Sequence, residues 1–433
     1  MFRNKTLLKH GMKRAVLALS LFAACAVPFE AMANPRIVVD AGSLKVLDQE
    51  QAFRKWYPAS LTKLMTAYVT FRALKAGEVK LDDLVTMSKR ASAQPASKMY
   101  YKPGQQLTLD SALKIMLVKS ANDVAVAIAE KVGGTQESFV LRMNGEAARI
   151  GMGSTHFINP NGLPGKGQYT TAHDLALLAV LIRREFPEYS TYFKLEGIDT
   201  GKRQYPNYNL LVGRFDGADG MKTGFICASG FNQVTSATRN GRTLISVVLG
   251  TDSLAARADM SADLLQKGFN TSGASGPRID QLAPDADAAL EVADITADIC
   301  SAKGAKVRSE SRDEVGRMKL VSPYVHELDH TPTFVFAGLI PGSDEAVTKA
   351  ATKPGKKSGS KVAGKKADIS EGDGATTPKA KTKVKKKPVA KKKKPAADKA
   401  SGETTGQSKK KAEFTPKALP AEAPVPAAKP ATE

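Results

Sequence analysis

Cysteine, histidine and tryptophan are scarce in this chain: 433 residues contain three Cys, five His and one Trp. Cys25 falls in an apolar run at the amino terminus, so only Cys227 and Cys300 remain to pair, which excludes a scaffold stapled by several disulfides. Cys227 lies in a stretch that reads as a buried strand and is taken as a buried thiol, as free cysteines commonly are. A bridge to Cys300 is the alternative that an exported protein allows. Long apolar runs are lacking as well. The run from Ala15 to Val27 is too short to span a bilayer comfortably. Preceded by Arg3, Lys5, Lys9, Lys13 and Arg14 and followed by Ala31-Met32-Ala33, it predicts a signal peptide over residues 1–33 and a mature start at Asn34. That places the protein in the periplasm or outside the cytoplasmic membrane.

Acidic residues are sparse where basic ones are dense. The net charge of +21 comes mostly from residues 346–433, which hold 23 Lys and no Arg against 8 Asp or Glu. Residues 34–345 are left with only +2, so the body carries no nucleic-acid signature. The tail has almost no aromatic or branched apolar side chains to offset chain entropy and is expected to be disordered. Its lysine clusters, Lys385 to Lys387 and Lys391 to Lys394, suit an anionic envelope surface.

With 42% apolar residues the chain can build at least one core. Short apolar runs, Arg36 to Asp40 and Leu44 to Leu47, flank Ala41-Gly42-Ser43 as a hairpin. Leu61, Leu64, Met65, Tyr68 and Val69 recur at helical spacing between Pro58 and Gly77. Further helices are predicted over Leu109 to Lys119, Asp123 to Val132, Phe139 to Ile150, and after a capping box from Thr171 to Asp174. Strands follow at Met221 to Cys227, Phe231 to Ala237 and Thr243 to Leu249, the last two joined across Asn240-Gly241. Strands at both ends of the sequence with helices between them predict an α/β (α+β) fold, an antiparallel sheet flanked by helices. The chain divides into a catalytic domain over 34–272, an accessory segment over 273–345 with a helix expected from Asp285 to Cys300, and the tail from 346.

Three short motifs carry chemistry. Ser60-Leu61-Thr62-Lys63 puts a hydroxyl and an amine one turn apart at a helix start, where free backbone N–H groups favour negative charge. Ser120-Ala121-Asn122 falls between two helices, and Lys222-Thr223-Gly224 lies on a strand. Ser-x-x-Lys alone is weak evidence, since Ser358-Gly359-Ser360-Lys361 repeats it in the tail. The trio in this order is the signature of penicillin-binding proteins and serine β-lactamases.

Pro58-Ala59-Ser60-Leu61-Thr62-Lys63-Leu64-Met65-Thr66, Ser120-Ala121-Asn122-Asp123, Asn159-Pro160-Asn161-Gly162-Leu163 and Asp219-Gly220-Met221-Lys222-Thr223-Gly224 resemble the serine D-alanyl-D-alanine carboxypeptidases of the low-molecular-weight penicillin-binding type. The resemblance implies a β-lactamase/DD-peptidase-like fold without cofactor or metal. It also implies stem peptides of peptidoglycan ending in D-Ala-D-Ala as substrate and β-lactams as covalent inhibitors. Ser60 is then the nucleophile, Lys63 its base, and Lys222 the neighbouring cation that lowers the pKa of that base. Ser120 relays a proton to the leaving amine, and Asn122 holds the peptide. Lys222, Thr223 and Gly224 take the terminal carboxylate, and the backbone N–H groups of Ser60 and Phe225 form the oxyanion hole. Ile226 departs from the family, which often has a hydroxyl residue there.

Rival readings have their own signatures. A class A β-lactamase needs a Glu followed four residues later by Asn, and Glu185, Glu188 and Glu196 all lack it. An endopeptidase acting on D-alanyl crosslinks fits the same motifs, and an inactive envelope-binding protein would not need all of them intact. His326-Glu327-Leu328-Asp329-His330 matches a zinc-protease pattern. Pro323 and Pro332 bracket it, so a solvated turn is expected and no metal.

Overall fold

The computed structural model describes residues 34–271, 276–284, 291–310 and 318–343. The predicted leader and basic tail lie outside these residues. β1 (Arg36–Asp40) and β2 (Val46–Glu50) form the first hairpin. Its turn is longer than the pattern suggests, because Asp40 Oδ1 accepts the N–H groups of Gly42 and Ser43 and Leu44 sits at φ +64°. The chain then enters α1 (Thr62–Lys75), followed by β3 (Leu84–Thr86), β4 (Gln106–Thr108), α2 (Leu109–Val118), α3 (Asn122–Gly133), α4 (Gln136–Arg149) and α5 (Ala172–Glu185). β5 (Gly197–Asp199) and β6 (Gln204–Pro206) precede the long strands β7 (Ala218–Ile226), β8 (Gly230–Arg239) and β9 (Arg242–Thr251), which lead into α6 (Leu254–Asn270).

The main sheet has the order β2-β1-β9-β8-β7 and is antiparallel throughout, so the two ends of the catalytic stretch meet at its centre. Alternation along β9 explains its nearly unbroken apolar sequence. Ile245, Val247 and Leu249 enter the large core beneath α1 and α5, while Leu244 and Val248 face α6. Asn240 and Gly241 both have positive φ, the conformation that a two-residue hairpin between right-twisted strands requires. α1 is buried from Thr62 to Phe71 without an exposed face, which identifies it as the central helix.

Of the helix expected from Asp285 to Cys300, only the short piece Thr296–Ile299 forms among the described residues. Residues 285–290 lie outside the described chain. The N–H groups of Ala293 and Ile295 are donated to the carbonyls of Lys55 and Ala228, which holds that stretch extended across the body. Within residues 291–310 the helices are Thr296–Ile299 and, as α7, Ala302–Glu310. Cys227 is not a free thiol but bonds to Cys300, tying the end of β7 to this stretch. The position of Cys227 after an apolar run suggested only burial; its proximity to Cys300 depends on contacts far apart in sequence. Residues 318–343 close the path with β10 (Phe334–Phe336), which pairs in parallel with β5.

Candidate active site

Ser60 stands on a sharp elbow. Ala59 has φ +48°, a left-handed conformation costly for a side chain with Cβ, and Ala59–Leu61 form a short 3-10 turn before α1. Two glycines permit this turn to be packed tightly. A Cβ on Gly162 would fall 1.8 Å from the carbonyl oxygen of Ala59, and one on Gly224 would fall 2.9 Å from the nitrogen of Ser60. The Asn159 to Gly162 loop and β7 therefore press on the Ser60 turn from two sides.

Lys63 is fully buried, yet its ammonium nitrogen has three oxygen partners. It donates to Ser60 Oγ at 2.9 Å, Asn122 Oδ1 at 2.8 Å and the carbonyl of Asn161 at 2.7 Å. These bonds join the first two sequence motifs to each other and to the Asn159 to Gly162 loop that follows the second. Thr66, one turn further on, donates to the carbonyl of Pro160 at 2.6 Å and fixes that loop on α1. Asn122 is bonded at both ends, because its Nδ2 also donates to Pro95 O at 3.1 Å. The amide can still offer one N–H and one lone pair.

Ser120 is buried between α2 and α3 with φ +62°. Its neighbouring loop, residues 95–101, is held by Asp123, whose carboxylate accepts the N–H groups of Met99, Tyr100 and Val124. Burial raises the pKa of Asp123 more than those three donors lower it. On β7, Lys222 pairs with Val234 and Gly224 with Asn232. Strand alternation puts Lys222 on the same face as Gly224, the face toward Ser60. The Lys222 ammonium donates to Thr223 O at 2.9 Å, and both residues are buried. Phe225 follows with its ring 4.2 Å from that of Phe231, and Ile226 pairs with Gly230 beside the Cys227–Cys300 bridge.

Several groups at the site escaped the sequence reading. The Asn161 carbonyl is a main-chain acceptor, which no residue identity reveals. Arg257 of α6 is buried and donates to Gly224 O at 3.4 Å and Tyr208 O at 3.2 Å, adding positive charge behind the third motif. An arginine at the start of an amphipathic helix looks solvent-facing in sequence. The His326 to His330 stretch is irregular chain. His330 meets Asp329 and Glu196, whereas His326 turns toward Asp216, so the two rings share no helix face. Among the described residues no group of three or more His, Cys, Asp or Glu is placed to hold a metal.

Known proteins share the sequence and fold of this body. The family model for D-alanyl-D-alanine carboxypeptidase matches residues 23–253. The D-alanyl-D-alanine carboxypeptidase DacC of Escherichia coli K12 is 42% identical over 240 residues, covering 54% of this chain and 60% of DacC. The chain thus spans about 60% of the length of the curated relatives it first matches. Among solved structures, the D-alanyl-D-alanine carboxypeptidase DacD of Francisella tularensis aligns with TM-score 0.53 and 35% identity, over 56% of this chain and 71% of that one. Penicillin-binding protein D2 of Listeria monocytogenes, solved in its ampicillin-bound form, aligns with TM-score 0.51 and 28% identity over 55% and 97%. With the family model matched over more than half of its length, the chain belongs to the D-alanyl-D-alanine carboxypeptidase family.

Proposed function

We propose that the protein is a serine-type carboxypeptidase that removes the terminal D-alanine from peptidoglycan stem peptides ending in D-Ala-D-Ala, and that penicillins acylate the same serine. The observation that carries this is the Lys63 nitrogen, 2.9 Å from Ser60 Oγ and fixed by Asn122 and Asn161. As a neutral amine, Lys63 has two hydrogens and one lone pair. Its hydrogens serve Asn122 Oδ1 and Asn161 O, which turns the lone pair toward the Ser60 hydroxyl.

Lys63 takes that proton as Oγ attacks the carbonyl of the penultimate D-alanine. The oxyanion is held by the N–H groups of Ser60 and Phe225. Collapse breaks the peptide bond, and the departing amine receives a proton through Ser120. Lys222, Thr223 and Gly224 hold the terminal carboxylate, with Asn122 on the peptide. Water then hydrolyses the ester and restores Ser60. A β-lactam follows the first half of this path, its ring nitrogen remaining attached as the leaving group.

The family relationship and the leader-like segment over residues 1–33 support export to the periplasm or the outer side of the cytoplasmic membrane. Among the described residues no helix is long and apolar enough to cross a membrane. Residues 346–433, with 23 Lys against 8 Asp or Glu, tether the enzyme to an anionic envelope surface. Removing them should abolish salt-sensitive binding to isolated envelopes, and equal binding at low salt by the shortened chain would exclude the tether.

The deciding experiment is mass spectrometry of the penicillin adduct, combined with an assay for released D-alanine. The adduct should map to Ser60, and Ser60→Ala should lose both adduct and D-alanine release while keeping its fold. An adduct on any other residue would overturn the assignment.

A further inference from the structure

Lys119 immediately precedes Ser120 and joins two segments beside the site. Its ammonium donates to Ser97 Oγ at 2.8 Å and to the Tyr208 hydroxyl at 2.6 Å. It also lies 5.0 Å from the Tyr208 ring centre and 5.5 Å from that of Tyr205, where cation–π attraction adds to the hydrogen bonds. Ser97 belongs to the loop over Asn122, since its carbonyl accepts the Asn122 N–H. Tyr208 belongs to the segment that runs into β7.

The position of this bridge follows from two neighbours. Arg257 donates to both Tyr208 O and Gly224 O, so Tyr208 is one guanidinium away from the strand residue packed on the Ser60 nitrogen. Ser120, on the mechanism proposed above, meets the leaving amine, and Lys119, its neighbour in the chain, therefore marks the leaving-group end of the site. We infer that the Lys119–Tyr208 bridge closes that end, leaving room for one D-alanine with a free carboxylate and rejecting D-alanyl peptides that continue beyond it. The bridge would make the enzyme an exopeptidase and exclude crosslinked peptides. This inference rests on the proposed hydrolase reading.

Two effects give the bridge selectivity. Admitting an extended chain means parting an ammonium–phenol hydrogen bond, a charge-assisted contact. An extended substrate also lacks the carboxylate that Lys119, Arg257 and Lys222 jointly favour, so their charge loses its partner. The Tyr205 ring, with Lys119 at 5.5 Å and Arg203 at 5.4 Å, backs the wall with further positive charge.

The test uses the full chain and two versions of one peptide, one ending in D-Ala-D-Ala as the free acid and one extended by a further residue. The readout is the ratio of kcat/KM for the extended peptide to that for the free acid. Wild-type enzyme should show a ratio below about 1 in 100, in the range that unpaired polar groups impose on discrimination. Tyr208→Phe, which keeps the ring and removes the hydroxyl, and Lys119→Ala should each raise the ratio about tenfold or more. Lys119→Arg, able to donate to Tyr208, should stay near wild type. Fluorescent penicillin labelling of Ser60 in each variant shows that the site is assembled. A wild-type ratio near 1, or labelled variants with an unchanged ratio, would overturn the bridge. Failure of penicillin to label wild-type Ser60 would instead overturn the hydrolase reading, and the bridge with it.

Discussion

The nucleophile turn and the stretch that ends at β10 are both tied by hydrogen bonds, but in different surroundings. Around Ser60 the partners are buried: Lys63, Asn122, Asn161, Thr66 and Lys222 have at most a twentieth of their surface exposed. Residues 326–333 lie at the surface, where His330, Asp329 and Glu327 meet their partners in water. Burial strengthens each polar contact and makes a missing partner costly, so the site has essentially one arrangement. Exposed ion pairs contribute little and can open singly. Catalytic geometry depends on the first kind of contact, and the second serves to dock a segment whose exact position matters less.

The largest effect should come from crowding the buried region. Gly224→Ala places a Cβ 2.9 Å from the Ser60 nitrogen and 3.1 Å from that of Leu61, both main-chain atoms that cannot turn aside. β7 or the elbow must move. Overpacking of this kind costs about 1–3 kcal/mol in stability. Displacing the nucleophile by a fraction of an ångström should lower penicillin acylation about a hundredfold. Stopped-flow labelling measures the rate and urea unfolding the stability. Acylation at the wild-type rate would show that the turn is softer than its packing indicates.

Intermediate effects should follow from cutting the link between the two regions. The Cys227–Cys300 bond closes a loop with a sequence separation of 73 and anchors the accessory stretch three residues beyond Gly224. Replacing both cysteines with serine should reduce stability by about 2–4 kcal/mol, chiefly by freeing the unfolded chain. Residues 291–310 should then be cleaved by added protease before the body is. Simultaneous loss of both regions would mean that they unfold as one unit.

Most of the body was legible in the sequence because its signals are local. Periodicity marked the helices, alternation and Asn240-Gly241 marked the long strands, and the three motifs marked Ser60, Lys63, Asn122 and Lys222. Thr171 does cap α5, accepting the Asp174 N–H, but Asp174 does not return the bond as a capping box would. Its carboxylate binds Ser154 N, Thr155 Oγ1 and His173 Nδ1, partners supplied by the tertiary fold. The accessory stretch was illegible for the same reason. The described residues between 276 and 343 have little periodicity of their own and take their path from distant partners: Leu44 for Ile279, Lys55 for Ala293, Asp259 for Val321 and β5 for β10. The cysteine pairing and the Lys119–Tyr208 contact also join segments remote in sequence.

The smallest effect should come from titrating the surface contacts. Asp329 and then Glu196 hold the imidazolium of His330 and raise its pKa above the ordinary 6.5. Burial raises the pKa of Glu196, but the Thr333 N–H at 2.7 Å and His330 outweigh it and leave the net value lowered. A raised histidine pKa contributes fully below 6.5, and the contribution is lost as pH rises through the folded value. The carboxylate runs the other way: its contribution is present above the ordinary 4.5 and is lost as pH falls through the lowered value. Between these limits the contact should be closed. The Thr333 amide reports on it directly, because it donates to Glu196. Its protection from hydrogen exchange, corrected for the intrinsic rise with pH, should hold to about 6.5 and decline above it. His330→Gln should flatten that decline and leave the pH dependence of penicillin acylation unchanged, since the partners of His330 are Asp329 and Glu196 and not the groups around Ser60. Identical exchange profiles in the two proteins would remove His330 as the latch.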